Sequence, residues 1–306
     1  MTSDDGTDLA VEVIGETNPG PTVVFIHGWT LSSRFWHYQR DLAHRYRVVL
    51  MDHRGHGESA PGPRENRTVD QLGRDLKAVL EATCAGRDVV LVGHSMGGMT
   101  IMSLAAQYPD LIGTTVRGVA LLDTSARREV AEYAGLRGRL ARAWAEKFEA
   151  SLTLMAGDPA RAEAKRRPGS AISVAMSRLL NLAPKADKRL GRFTEAMSAQ
   201  TAVDVIGDFW ATLSVHDKVA ALDKLGAVPT LVLVGDKDRL TPPGHAYRIA
   251  AAVAGSRLVV LRGAGHCAPL EQPGAVNAAL TDLVAEARPD QLDDADLELL
   301  AGVVSG

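Results

Sequence analysis

Short runs of consecutive apolar residues, bounded by glycine, proline or charge, recur along the chain at residues 22–26, 47–51, 88–92, 118–122, 230–234 and 257–261. Runs of this length without alternation predict strands buried on both faces of a parallel sheet. Residues 8–14 differ: Leu9, Val11 and Val13 alternate with Ala10, Glu12 and Ile14, which predicts an antiparallel edge hairpin. Helical spacing separates the strands at residues 34–44, 68–83, 95–108, 243–253 and 274–286. Such alternation predicts an α/β fold, a mostly parallel, doubly wound sheet with helices on both faces.

One long stretch breaks the rhythm. Residues 125–225 contain no strand pattern, and their Ala/Leu/Arg/Glu-rich segments at 129–150, 170–182, 189–200 and 203–214 have helical spacing. Gly157-Asp158-Pro159, Pro168-Gly169 and Pro184 punctuate them. The expected organisation is a core built from residues 1–124 and 226–287, a helical cap inserted at 125–225, and a polar tail at 288–306.

Composition narrows the class. A chain of 306 residues, 46% hydrophobic and 23% charged, fits one large soluble domain with an inserted subdomain. A net charge of −3 favours neither nucleic acid nor a membrane surface as partner. No apolar run approaches the ~20 residues a membrane-spanning helix needs. The start, Met1-Thr2-Ser3-Asp4-Asp5, is acidic and lacks the basic and apolar regions of a signal peptide. Cys84 and Cys267 are too few for a disulfide framework, so a cytoplasmic setting is expected. Residues 126–192 hold fifteen Lys/Arg against seven Asp/Glu, a surplus of eight that leaves −11 on the rest of the chain. Solvated helix faces account for this surplus more simply than long-range steering of anionic substrates.

The chemistry centres on Gly93-His94-Ser95-Met96-Gly97, set between the expected strand 88–92 and the expected helix 95–108. A turn this sharp projects the Ser95 hydroxyl above the sheet edge, and the flanking glycines avoid a clash of Cβ with neighbouring backbone. An alkyl hydroxyl is a poor nucleophile, so it needs a nearby base, and the base needs an orienting acid. His266 follows the last strand in Gly263-Ala264-Gly265-His266, and Asp238 follows strand 230–234 in Gly235-Asp236-Lys237-Asp238. In a parallel sheet these loops emerge at the same carboxyl edge as Ser95. Asp236 and Asp123 compete for the role of acid; outside it, Asp123 reads as a loop or capping residue beside Thr124 and Ser125.

These motifs resemble those of α/β-hydrolase fold serine hydrolases of the esterase and cofactor-free perhydrolase type. The resemblance spans residues 22–122 and 230–285 and rests on His27-Gly28-Trp29, Asp52-His53-Arg54-Gly55-His56-Gly57-Glu58-Ser59, Gly93-His94-Ser95-Met96-Gly97-Gly98, Asp238 and Gly265-His266. It implies that Ser95 attacks, His266 shuttles the proton and Asp238, ahead of Leu240-Thr241-Pro242, holds the imidazole. It also implies an oxyanion hole made by the backbone N–H groups of Trp29 and Met96. Some relatives take the acid from the strand matching 118–122, which keeps Asp123 in play. Serine at 95 argues against haloalkane and epoxide chemistry, which uses an aspartate there. Carbon–carbon hydrolases usually carry tryptophan where Cys267 stands, and perhydrolases proline where Thr30 stands.

The remaining histidines read as structural. His27, His53 and His56 fix Gly-rich loops, and the His94 side chain is expected to turn away from the site. His37, His44, His216 and His245 lack metal-ligand spacing, so no metal is expected. The glycine rhythm around Ser95 lacks the first tight Gly-x-Gly of a dinucleotide turn, so no cofactor is expected. Cys267 reads as a small residue packed under its loop. Trp144, Phe148, Phe209 and Trp210 would roof a pocket floored by Trp29 and Met96, suiting a small to medium hydrophobic acyl substrate: an ester, thioester or lactone. Other readings remain: an acyltransferase or cyclase using the same three residues, a carbon–carbon bond hydrolase, or a small-molecule receptor without catalysis.

Overall fold

The computed structural model describes residues 1–18, 20–127, 147, 150–151 and 157–288. Seven strands form one sheet: β1 (Val11–Ile14), β2 (Thr22–Ile26), β3 (Arg47–Met51), β4 (Val89–His94), β5 (Val116–Leu122), β6 (Thr230–Gly235) and β7 (Arg257–Leu261). Their order is β1-β3-β2-β4-β5-β6-β7. All neighbours run parallel except β1, which lies antiparallel to β3 with Val11 opposite Met51. The expected edge hairpin is therefore corrected to an edge strand paired non-sequentially. Both edges of β2 are occupied by β3 and β4, so β1 has no place beside it.

Continuous apolar runs become two cores because successive strand residues point to opposite faces. Val24, Ile26, Val49, Met51 and Leu91 face one core, shared with helices α1 (Val69–Thr83) and α2 (Met96–Gln107). Val23, Phe25, Val48, Leu50 and Val92 face the other. The single helix expected over residues 34–44 is instead two 3-10 turns, Ser33–Trp36 and Gln39–His44. At the break, the Tyr38 carbonyl accepts from Asn277 Nδ2 at 3.0 Å.

Between β5 and β6 lie α3 (Pro159–Lys165), α4 (Ala171–Asn181), α5 (Lys188–Ser198), α6 (Val203–Leu213) and the short α7 (Leu222–Leu225). Three of these match the helical segments expected at 170–182, 189–200 and 203–214, and α3 is an addition. Most of the expected helix 129–150, with Trp144 and Phe148, lies outside the described residues, as does the tail from residue 289. The α6 helix is tied to the body by Arg67, whose Nη1 contacts Asp204 at 2.7 Å and Asp208 at 3.0 Å. Helices α8 (Pro243–Ala252), α9 (Ala268–Glu271) and α10 (Pro273–Glu286) complete the fold, α10 lending Val276, Leu280 and Leu283 to the second core. Among the described residues no helix is long and apolar enough to cross a membrane.

Candidate active site

Ser95 is the one residue between the end of β4 and the start of α2. Its backbone adopts φ 53° and ψ −117°, a strained region for a residue with a side chain. The strain is held from several sides: Ser95 N donates to the Leu122 carbonyl at 3.0 Å, and its carbonyl accepts from Gly98 N at 2.9 Å and Thr124 Oγ1 at 2.7 Å. Glycine is obligatory on either side. A Cβ at Gly93 would come within 2.6 Å of Gly97 C, and one at Gly97 within 2.6 Å of Ile26 C.

Asp238 and His266 meet from the loops after β6 and β7. His266 Nδ1 lies 2.8 Å from Asp238 Oδ2, and since a carboxylate only accepts, the proton sits on Nδ1 and leaves Nε2 as the free acceptor. Asp238 receives three further bonds: Leu240 N at 2.8 Å and Thr241 N at 3.0 Å on Oδ1, and Thr241 Oγ1 at 2.7 Å on Oδ2. Both residues are buried, Asp238 at 4% and His266 at 4% exposure. Thr241, known from the sequence only as part of Leu240-Thr241-Pro242, is thus an orienting residue. Its position three residues after an aspartate was the available signal.

The competing acids go elsewhere. Asp236 Oδ1 accepts from Gly263 N at 2.6 Å and pairs with Lys237, closing the outer turn. Asp123, at φ 47° and wholly buried, accepts from Gly235 N at 2.8 Å through Oδ1, while Oδ2 has no partner among the described residues. Burial, then the nearby Asp238 carboxylate, push the Asp123 pKa well above the usual carboxylate range. Both effects favour the protonated form of this carboxyl beneath the site.

His27, His53 and His56 knit the loops. His53 N donates to His27 Nε2 at 3.0 Å, His53 Nε2 donates to the His27 carbonyl at 2.9 Å, and His56 Nδ1 donates to the Arg54 carbonyl at 3.0 Å. His94 corrects an expectation: it does not turn away from the site. Its Nε2 donates to the His266 carbonyl at 2.8 Å, and its ring lies 4.8 Å from the His266 ring. The sharp turn that lifts Ser95 also directs the preceding side chain under the His266 loop.

Ser95, His266, Trp29 and Met96 all line one cavity of about 390 Å³. Met96 opens α2, so its N–H has no intrahelical acceptor. The body and α6 supply apolar wall: Trp29, Met96, Met99, Ile206, Trp210 and Leu213. The Trp29 and Trp210 rings stack at 5.5 Å. Phe209 corrects the expected roof: it is fully buried, packed with Leu72, Met96 and Val205 and edge-on to His56. Adjacent residues on a helix diverge by about 100°, so α6 turns Trp210 to the cavity and Phe209 to the core. The facing wall from α4 and α5 is mixed, with Ser173, Ser177, Asn181 and Glu195 standing beside Met176 and Leu180. Among the described residues no cluster of three or more His, Cys, Asp or Glu could hold a metal ion.

A non-heme haloperoxidase of Rhodococcus erythropolis is 29% identical over 297 residues, covering 93% of this chain and 98% of that protein. A thermophilic esterase from Thermogutta terrifontis has a solved structure of TM-score 0.74 and 25% identity, covering 94% of this chain and 96% of its own. The enol-lactonase from Burkholderia xenovorans LB400 shares the fold at TM-score 0.73 and 23% identity, covering 92% and 98%. The family described as alpha/beta hydrolase fold matches residues 21–273. With the β4–Ser95–α2 turn on a seven-stranded, mostly parallel sheet, the chain belongs to the α/β-hydrolase fold family.

Proposed function

We propose that this chain is a serine hydrolase that cleaves a carboxylic ester, thioester or lactone of a small to medium substrate through an acyl-enzyme on Ser95. The observation that carries this reading is the 2.8 Å bond between His266 Nδ1 and Asp238 Oδ2 beside a cavity that Ser95 and His266 both line. His266 Nε2 takes the Ser95 proton as the hydroxyl attacks the acyl carbon, and Asp238 stabilises the imidazolium that forms. The tetrahedral oxyanion is received by the N–H of Met96, favoured by the helix N-terminus, and by that of Trp29. His266 then returns the proton to the leaving group, and water, activated by the same imidazole, releases the acid.

The helical segment between β5 and β6 acts in this reading as a cap. Its Trp210 completes the apolar side, while Ser173, Ser177 and Asn181 offer hydrogen bonds on the other. A mainly apolar substrate with a few hydrogen-bonding groups on the side of Ser173, Ser177 and Asn181 fits this lining. Both cysteines are free and buried, which suits a reducing, cytoplasmic setting.

Peroxide in place of water would give perhydrolysis, and the haloperoxidase likeness raises it. Thr30, however, adopts φ 59°, a conformation that the proline found there in perhydrolases cannot take, because its ring locks φ near about −65°. The loop of this chain is therefore shaped differently next to Trp29, which favours water as the acceptor.

The decisive experiment is intact mass after fluorophosphonate treatment of wild type and Ser95→Ala. Wild type should gain one adduct and Ser95→Ala none. Absence of the adduct in folded wild type overturns the nucleophile assignment.

A further inference from the structure

Glu271 closes α9, five residues beyond His266, and takes no part in the proton transfers above. Its side chain nevertheless holds two backbones together. Oε1 accepts from Gly265 N at 2.9 Å, immediately before His266, and Oε2 accepts from Ala183 N at 2.9 Å, just past the end of α4. Around this bridge the two segments touch with no side chain between them. Cys267 N donates to the Asn181 carbonyl at 2.9 Å. A Cβ on Gly265 would come within 2.6 Å of Leu182 C, and one on Gly235 within 2.5 Å of the Ala264 carbonyl oxygen. The end of β6, the His266 loop and the exit of α4 are therefore stacked backbone on backbone. On the acid side, Arg239 Nη1 donates to the Leu179 carbonyl at 2.9 Å. The last turn of α4 is thus bonded to the loop of Asp238 and to the loop of His266, and α4 itself lines the cavity through Ser177, Leu180 and Asn181.

We propose that Glu271 is a positioning residue for His266, and that through its two carboxylate oxygens the seating of α4 and the orientation of the imidazole are a single event. This inference rests on the reading of His266 as the base for Ser95. Two properties of the site make a carboxylate the fitting group. Both facing partners are N–H donors, and only an ionised carboxylate presents two acceptor oxygens at once. The bridge is also largely buried, so neither N–H has water as a ready substitute. Substrate in the cavity touches α4 and His266 together, and the Glu271 bridge is where a shift of one is passed to the other.

A purely structural role would lower stability and leave each folded molecule equally reactive, so the test reads reactivity per folded molecule. The rate of Ser95 modification by a fluorophosphonate is measured against reagent concentration, giving a maximal rate and a half-saturating concentration. Melting curves are recorded in parallel for wild type, Glu271→Ala, Glu271→Gln and the control Glu286→Gln on α10. Glu271→Ala is expected to lower the maximal rate by about 10-fold to 10²-fold, the scale of a base displaced by roughly an ångström, with half-saturation unchanged. Glu271→Gln keeps the shape and one acceptor and is expected to recover part of that loss; it also carries the test should the alanine variant fail to fold. Glu286→Gln is expected to match wild type. A wild-type maximal rate in folded Glu271→Ala or Glu271→Gln overturns the proposal, as does a change confined to half-saturation, which would make Glu271 a shaper of the cavity alone. Failure of wild type itself to label removes the Ser95–His266 reading and this inference with it, an outcome distinct from a variant that labels like wild type.

Discussion

At the scale of single residues, the two buried aspartates near His266 divide their labour by environment. Asp238 collects four donors, one of them the imidazole, whereas Asp123 accepts from Gly235 N through Oδ1 and, among the described residues, its Oδ2 has no hydrogen-bond partner. Asp238→Asn would present an amide N–H or a weaker acceptor to Nδ1 and favour the wrong tautomer. Turnover of an aryl ester should fall by about 10³–10⁴-fold. Asp123→Asn should behave oppositely. An amide oxygen can still accept from Gly235 N, and activity should stay within a few-fold of wild type. Stability should rise at neutral pH, because a carboxyl whose folded pKa is raised contributes stability below its unfolded pKa and loses it as pH climbs through the folded value. Denaturant melts of Asp123→Asn at pH 7 check the gain, and a loss of activity as large as that of Asp238→Asn would reassign the acid. The sequence placed both aspartates at the correct sheet edge but could not rank them by geometry. Ranking depends on which carboxylate reaches the ring, and that is decided by Thr241 and the turn it closes.

At the scale of elements, what was legible followed the strength of the local pattern. The β2, β3 and β7 runs coincide with the observed strands at residues 22–26, 47–51 and 257–261; β2 and β3 are continuous apolar runs buried on both faces, while β7 is a half-buried edge strand marked by its apolar run alone. Pairing was not legible. Alternation marked β1 as an edge strand, but its neighbour is set by β2 filling both its own edges. The 34–44 segment failed for a similar reason, since Asn277, far along the chain, binds the Tyr38 carbonyl at the break. Phe209 and Trp210 carry equal hydrophobic weight in sequence, and only the rotation of α6 separates core from cavity. That rotation is held by the Arg67 guanidinium between Asp204 and Asp208 and by Arg64 on Asp208 at 2.8 Å. Arg67→Ala should leave the α6 carboxylates without their buried counter-charge. We expect a stability loss of about 1–3 kcal/mol and a several-fold rise in KM through Trp210, with kcat little changed. A variant with lower kcat and unaltered KM would show that α6 does not shape the cavity.

At the scale of the whole molecule, the loops that support Ser95 are built on histidines kept neutral by burial. His27, His53 and His94 all have their pKa lowered chiefly by burial; His56 is lowered to about 3 and His216 to about 4 for the same reason. Each is protonated in the unfolded chain below about pH 6.5, while the folded protein refuses the proton until a lower pH. The unfolded state therefore binds more protons as pH falls, and stability present above pH 6.5 is lost progressively below it. Each such histidine removes roughly 1.4 kcal/mol per pH unit within its window. Asp123 and Glu271, whose pKa values burial raises, work in the opposite direction, but five histidines outnumber two acids. Unfolding free energy from urea titrations should accordingly drop steeply between pH 6.5 and pH 5. His56→Asn, which removes one titrating ring at the loop behind Ser95, should flatten that slope by about one proton. A flat pH dependence in wild type would mean that these rings are charged or solvated in the folded state. The site would then lack the dry, neutral floor on which the hydrogen bond from His94 to the His266 loop depends.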